Sequence, residues 1–248
     1  MADEAIKIEN LVKKFEDVTA VDNINLQVAK GELFGLLGPN GAGKTTIINI
    51  LCGLIKPTSG SAIVGGYDIQ KEPTQVKELI GVCTQETAVY PYLTGAENVD
   101  LFGDLHVMNK ETLKTRRVML LEKMGLTADA KRKTEKYSGG MKRRLSLILA
   151  LIHDPQIAFL DEPTVAMDPQ SRHAVWDFIK ELKKENKTII LTTHYMEEAE
   201  NLCDRVGIID HGGLIALGSP KDLISTNQVR DLEDVFIKLT GRKIREEV

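Results

Sequence analysis

Nine residues, Gly38-Pro39-Asn40-Gly41-Ala42-Gly43-Lys44-Thr45-Thr46, constrain this chain more than any other stretch. They follow an apolar run, Leu33-Phe34-Gly35-Leu36-Leu37, and precede a segment from Thr46 to Leu54 with helical apolar spacing. Gly38, Gly43, Lys44 and Thr45 satisfy the phosphate-loop pattern G-x-x-x-x-G-K-[ST]. The pattern answers a demand for anion binding. Glycines let the backbone curl so that successive N–H groups face phosphate oxygens, and the helix that follows adds its positive end. Lys44 is placed to reach β- and γ-phosphates, and Thr45 to put a hydroxyl on Mg²⁺. A strand, a tight anion loop and a buried helix in succession belong to an α/β fold.

With 248 residues, the chain has room for a large α/β domain and a sizeable core. A formal net charge of -4 gives no reason to expect a nucleic-acid surface. Cys52, Cys83 and Cys203 lie far apart with no metal-ligand spacing, as expected of reduced thiols. The acidic start, MADEAIKIEN, lacks the layout of a signal peptide, and the longest apolar run, Leu147 to Ile152, falls far short of a membrane span. A soluble chain is expected, reaching any membrane through a partner.

Alternation predicts strands over Ile6 to Asn10 and Ile24 to Val28, with Lys13 to Asp17 a polar turn carrying Phe15. Strands are also expected at Ser61 to Val64, at Leu79 to Cys83, at Ile157 to Leu160, at Thr188 to Thr193, and around His211-Gly212-Gly213. Thr94-Gly95-Ala96-Glu97 reads as a capping box, and Leu113 to Leu126 as a helix with Val118, Leu120, Leu121 and Met124 on its apolar stripe. Ser138 opens a third helix, and Asp168-Pro169 marks a strong helix start. Residues 86–154 therefore read as a helical insertion, and 219–248 as a helical tail, within one domain spanning 1–248. Alternating strands and helices imply a mostly parallel sheet, with an antiparallel N-terminal β portion. Lys131-Arg132-Lys133 and Lys142-Arg143-Arg144 read as solvated faces, and His106, His153, His173 and His211 receive no role.

A phosphate loop needs a strand-end carboxylate for Mg²⁺ and a group that activates water. IAFLDEP offers Asp161 for the first and Glu162 for the second. An acidic pair also caps many ordinary turns. The apolar strand before this pair and the quality of the loop favour the chemical reading.

Beyond these residues, YSGGMKRRL (Tyr137 to Leu145) resembles the signature motif of ATP-binding cassette (ABC) ATPases, and it lies upstream of DEP as in that family. Gln85 resembles the family's Q-loop glutamine, VAMD (Val165 to Asp168) its D-loop, and His194 in LTTHYMEEAE its switch histidine. Phe15 falls where the family places an aromatic that stacks on adenine. The resemblance implies a P-loop NTPase fold that binds ATP and Mg²⁺. Gly38 to Thr46 would cradle the phosphates, with Thr45, Gln85 and Asp161 at the metal, and Glu162, His194, Gln85 and Lys44 in catalysis. Ser138, Gly139 and Gly140 would face the γ-phosphate held by a second ABC subunit, with Asp168 at the seam between the two. It further implies an integral membrane permease as partner, docked on the Q-loop and residues 86–154, and a place on the cytoplasmic face of the membrane. Val89-Tyr90-Pro91-Tyr92-Leu93 is a contact candidate there.

Ala166-Met167 departs from the usual Gly-Leu or Ala-Leu of the D-loop, and Met141 from the commoner Gln of the signature. YSGGM, THYMEEAE and the tail LEDVFIKLTGR (Leu232 to Arg242) resemble type-2 exporters of the drug-resistance and sodium-efflux kind. Two other classes share these motifs: a soluble ABC ATPase of DNA repair or translation, and an inactive nucleotide-binding regulator. The first usually carries coiled-coil inserts, zinc-binding cysteines or paired cassettes, none of which is seen. Glu162 and His194 argue against the second.

Overall fold

Leu33–Leu37 (β3) is buried along its whole length, because it lies inside a sheet covered on both faces. The computed structural model describes residues 3–241. Within them the elements run β1 (Glu4–Phe15), β2 (Val18–Ala29), β3, α1 (Lys44–Leu51), β4 (Ser59–Val64), β5 (Tyr67–Asp68), α2 (Pro73–Leu79) and β6 (Ile80–Cys83). There follow α3 (Gly95–Leu105), α4 (Lys110–Lys123), α5 (Gly139–Leu151), β7 (Ile157–Asp161), α6 (Pro169–Lys184), β8 (Thr188–Thr193) and α7 (Met196–Leu202). The described chain closes with β9 (Arg205–Asp210), β10 (Gly213–Gly218), α8 (Pro220–Asn227) and α9 (Leu232–Thr240).

Two sheets result. One, ordered β2-β1-β4-β5, is antiparallel; the other runs β10-β9-β3-β8-β7-β6 and is parallel except for the β9–β10 hairpin. The strand ends after β3, β7 and β8 therefore share one edge. Brought together there are Gly38, Glu162 and His194, which lie far apart in sequence. Ligand sites of open α/β sheets form beyond such carboxyl ends.

Two cores hold the fold. One packs α1 between the sheets, with Phe34, Ile47, Ile50 and Phe159 fully buried. The other joins α3–α5 to the far face of the parallel sheet and to α6, α7 and α9. Helices α3, α4 and α5 fill residues 95–151 between β6 and β7. Thr94 makes the expected capping box with Glu97, and Asn109, Ser138, Asp168, Ser219 and Asp231 cap their helices with side-chain oxygens. Among the described residues no helix is long and apolar enough to cross a membrane. Arg242, the last residue of the exporter-like tail, and residues 243–248 lie outside the described residues.

Several local expectations are corrected. The stretch read as a polar turn continues β1 through Phe15, and only Glu16-Asp17 turns, with Glu16 at φ 47°. Leu54 is 61% exposed because α1 stops at Leu51. The helix Pro73–Leu79 was not anticipated; with Val76 its one fully covered residue, it carries little apolar periodicity. Val118 points outward, and α4 buries Leu113, Leu120 and Leu121 instead.

The fold also pairs two histidines that sequence leaves unrelated. His106, which caps the end of α3, stacks on His153 with ring centroids 3.7 Å apart and planes 5° from parallel. His153 donates from Nε2 to the Ile80 carbonyl at 3.0 Å, while its Nδ1 is buried without a hydrogen bond. Burial, and then the neighbouring His106, push His153 from 6.5 down to about 4. The unfolded chain thus binds more protons between those values, so stability falls as pH drops through that window. His153→Gln should flatten this dependence. Discounted for partial exposure, about 1 kcal/mol at pH 5 corresponds to a melting temperature some 2–4 °C less sensitive to a shift from pH 7 to pH 5. Equal slopes for the two proteins in thermal melts would contradict this.

Candidate active site

Gly38 and Gly43 shape the loop that follows β3. At Gly38, with φ 155°, an added Cβ would lie 2.3 Å from the Ile209 carbonyl oxygen; at Gly43, with φ 107°, it would lie 2.2 Å from that of Ala20. Only glycine satisfies both the backbone and the space. The amide of Gly212, in the β9–β10 turn, donates to the Ala42 carbonyl at 3.0 Å, and the Gly212 carbonyl accepts from the Asp22 amide at 2.8 Å. The loop is thereby seated on β2 and on the β9–β10 turn. Above it opens a cleft of about 340 Å³, lined by the loop from Asn40 to Thr46 and by Ala20, Gln85 and Glu162.

Lys44 is 5% exposed and folds back over the loop, donating to the carbonyls of Gly38 at 2.7 Å and Pro39 at 3.1 Å. Its Nζ also stands 3.8 Å from Glu162 Oε1. Burial lowers its pKa, opposed by the nearby Glu162 and Asp161 carboxylates. Thr45, next on α1, donates its hydroxyl to Asp161 Oδ2 at 2.9 Å. The other carboxylate oxygen of Asp161 accepts from the Thr192 hydroxyl.

Glu162 turns out of β7 at φ 48°, and its amide donates to the carbonyl and hydroxyl oxygens of Thr192 at 3.1 and 3.0 Å. The side chain, 6% exposed, meets His194 Nδ1 at 3.1 Å and lies 3.5 Å from the Gln85 amide. Burial alone would raise its pKa. The hydrogen bond and charge of His194, with Lys44 and Arg143, outweigh that and hold Glu162 below the ordinary glutamate range.

The remaining expected residues sit elsewhere. Ser138, Gly139 and Gly140 do not line the cleft; Ser138 caps α5 by accepting from the Met141 amide at 3.2 Å, and a side chain added at Gly139 would meet open space. Asp168 caps α6, accepting from the Ser171 amide at 2.9 Å, and those Ser171 hydrogen bonds lower its pKa. Beside it, Met167 is buried, so the unusual D-loop residue packs into the core. Phe15 is 46% exposed, with Lys13 Nζ 4.7 Å from its ring centre.

Sequence reasoning missed four residues. Ala20 lines the cleft, and no local pattern announces it. Thr192 binds both Asp161 and Glu162; its signal was a hydroxyl within an otherwise apolar strand. Glu198 is fully buried and accepts from Thr164 at 2.7 Å and Trp176 at 2.9 Å, tying α7 to the turn after Glu162 and to α6. Arg143 was read as solvated and is instead 3% exposed. Four residues before Leu147, it shares that residue's face of α5, which the helical period could have revealed. Arg144 likewise spends its charge on the Met124 carbonyl at 2.7 Å, whereas Lys131, Arg132 and Lys133 are exposed as expected.

The family model for the ABC transporter matches residues 21–165, from the start of the loop's support through β7 and beyond Glu162. The chain belongs to the ABC transporter family. Among curated ABC relatives, it is 46% identical over 241 residues to the linearmycin resistance ATP-binding protein of Bacillus subtilis, covering 97% of this chain and 76% of that protein. It is 46% identical over 206 residues to a doxorubicin resistance ATP-binding protein of Mycobacterium tuberculosis, covering 83% of this chain and 62% of that one. A solved ATP-binding subunit of an ABC transporter superposes with a TM-score of 0.87 at 25% identity, covering 95% of this chain and 99% of the other. A dimeric ATP-binding cassette in a post-hydrolysis state, bound to ADP and phosphate, gives a TM-score of 0.80 at 28% identity over 86% and 98% of the two chains. The chain is an ATP-binding and ATP-hydrolysing ABC subunit of exporter type, a reading these relatives favour over a repair or translation ATPase.

Proposed function

We propose that this subunit closes head to tail with a second ABC ATPase subunit on ATP, and that hydrolysis reopens the pair to drive export through a separate membrane permease. The observation that supports this reading most is the convergence on Glu162. Its carboxylate stands within 3.8 Å of Lys44, His194 and the Gln85 amide, at the mouth of the phosphate loop. Four strand ends, those of β3, β6, β7 and β8, thus offer a cation, an acid–base pair and a polar sensor to one small volume.

In this reading ATP lies along the cleft with its adenine on Phe15. Loop amides and Lys44 hold the phosphates, Glu162 draws the proton from the attacking water, and His194 and Gln85 hold the γ-phosphate and that water in line. The N-terminus of α5, at Ser138 to Gly140, serves the nucleotide of the opposite chain, and Asp168 lies at the seam. Thr45 and Asp161 fit Mg²⁺: a hydroxyl and a carboxylate oxygen 2.9 Å apart are hard donors, few enough to leave places for water and phosphate, with Gln85 close by. When bound there, the ion would supply positive charge against the phosphates.

The permease would dock on residues 86–154, holding the subunit at the cytoplasmic face of the membrane. A hollow of about 230 Å³ opens there between Thr87–Tyr90 and Phe102, with Tyr90 52% and Tyr92 76% exposed beside it. The relatives named for linearmycin and doxorubicin resistance point to a drug-like cargo. Tyr90→Asp and Tyr92→Asp place a charge on this surface, at residues that do not line the nucleotide cleft. Reconstituted with its permease, each variant should transport about tenfold less or worse, while ATP hydrolysis by the isolated chain stays within about twofold, since burying an unpaired charge at an interface costs about 2–5 kcal/mol. Full transport by both variants would remove this surface from the reading.

A further inference from the structure

Arg143 is a buried guanidinium whose donors are all spent on the protein backbone. It lies one turn inside α5, is 3% exposed, and among the described residues pairs with no carboxylate. Its five N–H donors reach five main-chain carbonyls. Nε donates to Pro163 at 3.2 Å; one terminal nitrogen donates to Thr84 and to Gln85 at 2.8 Å; the other donates to Asp161 and to Glu162 at 2.7 Å. Burying such a group is costly unless its hydrogen-bonding capacity is met, and here it is met in full.

The carbonyls belong to two separate segments, the Gln85 loop after β6 and the Asp161–Pro163 turn after β7. Both carry side chains that meet at Glu162. Neither segment is bonded to the other through its own backbone at these residues: β6 and β7 pair only from Ile80 opposite Ile157 to Cys83 opposite Leu160. Past the last paired residues, Arg143 replaces the sheet as the link. It does so from the helix whose first turn, Ser138 to Gly140, is free of the cleft.

We propose that Arg143 is a positioning residue for hydrolysis, a planar fork that fixes the main chains of Gln85 and Glu162 relative to each other and to α5. This rests on the reading of Glu162 and Gln85 as the groups that handle water. It adds a route by which movement of the α5 N-terminus, on meeting a second chain, reaches the hydrolytic end of the same subunit's own site. The phosphate loop makes no bond to Arg143, so ATP affinity should stand apart from turnover.

The test compares Arg143→Ala and Arg143→Lys with the unaltered chain, measuring steady-state ATP hydrolysis and equilibrium binding of a fluorescent ATP analogue. Arg143→Ala should lower kcat about 30- to 100-fold, as misplacement of reacting groups by about 1 Å does, with nucleotide Kd changed less than about threefold. Millimolar guanidinium ion, refilling the vacated site, should recover roughly tenfold of that loss in Arg143→Ala and nothing in the unaltered chain, because it restores the planar donors. Arg143→Lys, with three donors for five carbonyls, should fall between the two. Wild-type kcat in Arg143→Ala, or equal losses in kcat and affinity, would overturn the proposal. If the alanine variant fails to fold, Arg143→Lys decides: a wild-type kcat there is equally fatal, since the claim concerns the fork rather than the charge. Glu162→Gln separates the two levels. Should it be inert while Arg143→Ala turns over normally, the reading of Glu162 stands and only the role of Arg143 is lost.

Discussion

Glu162→Gln should stop turnover while leaving ATP bound, and should make two chains elute together in its presence. The amide keeps the shape of the side chain and loses its basicity, and a positioned general base accounts for about 10²–10⁴-fold in rate. The geometry adds a second effect. Lys44 Nζ now stands 3.8 Å from the Glu162 carboxylate, and both side chains are almost fully buried. Without that charge, the γ-phosphate becomes the strongest anion available to Lys44, so ATP should bind more tightly as hydrolysis fails. Size-exclusion chromatography with ATP and Mg²⁺ should show a dimer for the variant and mainly monomer for the unaltered chain. Hydrolysis by Glu162→Gln at the wild-type rate would mean that another group activates water.

Gly43→Ala should unseat the phosphate loop itself. Its φ of 107° is foreign to alanine, and the new methyl would lie 2.2 Å from the Ala20 carbonyl, a backbone atom with little room to yield. Backbone strain of about 1–3 kcal/mol and overpacking of about 1–3 kcal/mol add up to a melting temperature lowered by roughly 4–24 °C. The loop amides would be displaced together, so the stabilisation that ATP gives the unaltered chain in a thermal melt should vanish. Gly41→Ala is the contrast. That position has φ 79° but open space around its missing side chain, and only the smaller backbone cost should appear. Equal melting temperatures and equal ATP shifts for Gly43→Ala and the unaltered chain would refute the steric account.

Much of this molecule was legible because its local rules and its fold agree. The buried strand before Gly38, the capping box at Thr94 and the caps at Ser138, Asp168 and Ser219 are short-range chemistry, and each lies where the residues predict. The gathering of Lys44, Thr45, Gln85, Asp161, Glu162 and His194 could be anticipated because strands feeding a parallel sheet end on one edge. What stayed hidden depends on partners distant in sequence. A run such as Lys142-Arg143-Arg144 looks like a solvated face until the carbonyls of residues 84–85 and 161–163 close around its central member. The stacking of His106 on His153 is equally invisible, for it needs the C-terminal ends of α3 and α5 to meet. Pro73–Leu79 escaped for the opposite reason, since a seven-residue helix with one covered side chain leaves almost no periodic trace.

One side of the seat beneath the phosphate loop comes from the last third of the chain, since Ile209 and Gly212 press against Gly38, Ala42 and Gly43. A growing polypeptide that has emerged as far as His194 carries every motif of the nucleotide site but only the β2 side of this seat. At about 5–20 residues per second, the loop waits on the order of ten seconds or more on the ribosome for the β9–β10 turn. Its partner strand arrives late as well, because β9 pairs directly with β3. The phosphate loop is therefore completed last, by a hairpin made after every motif of the nucleotide site.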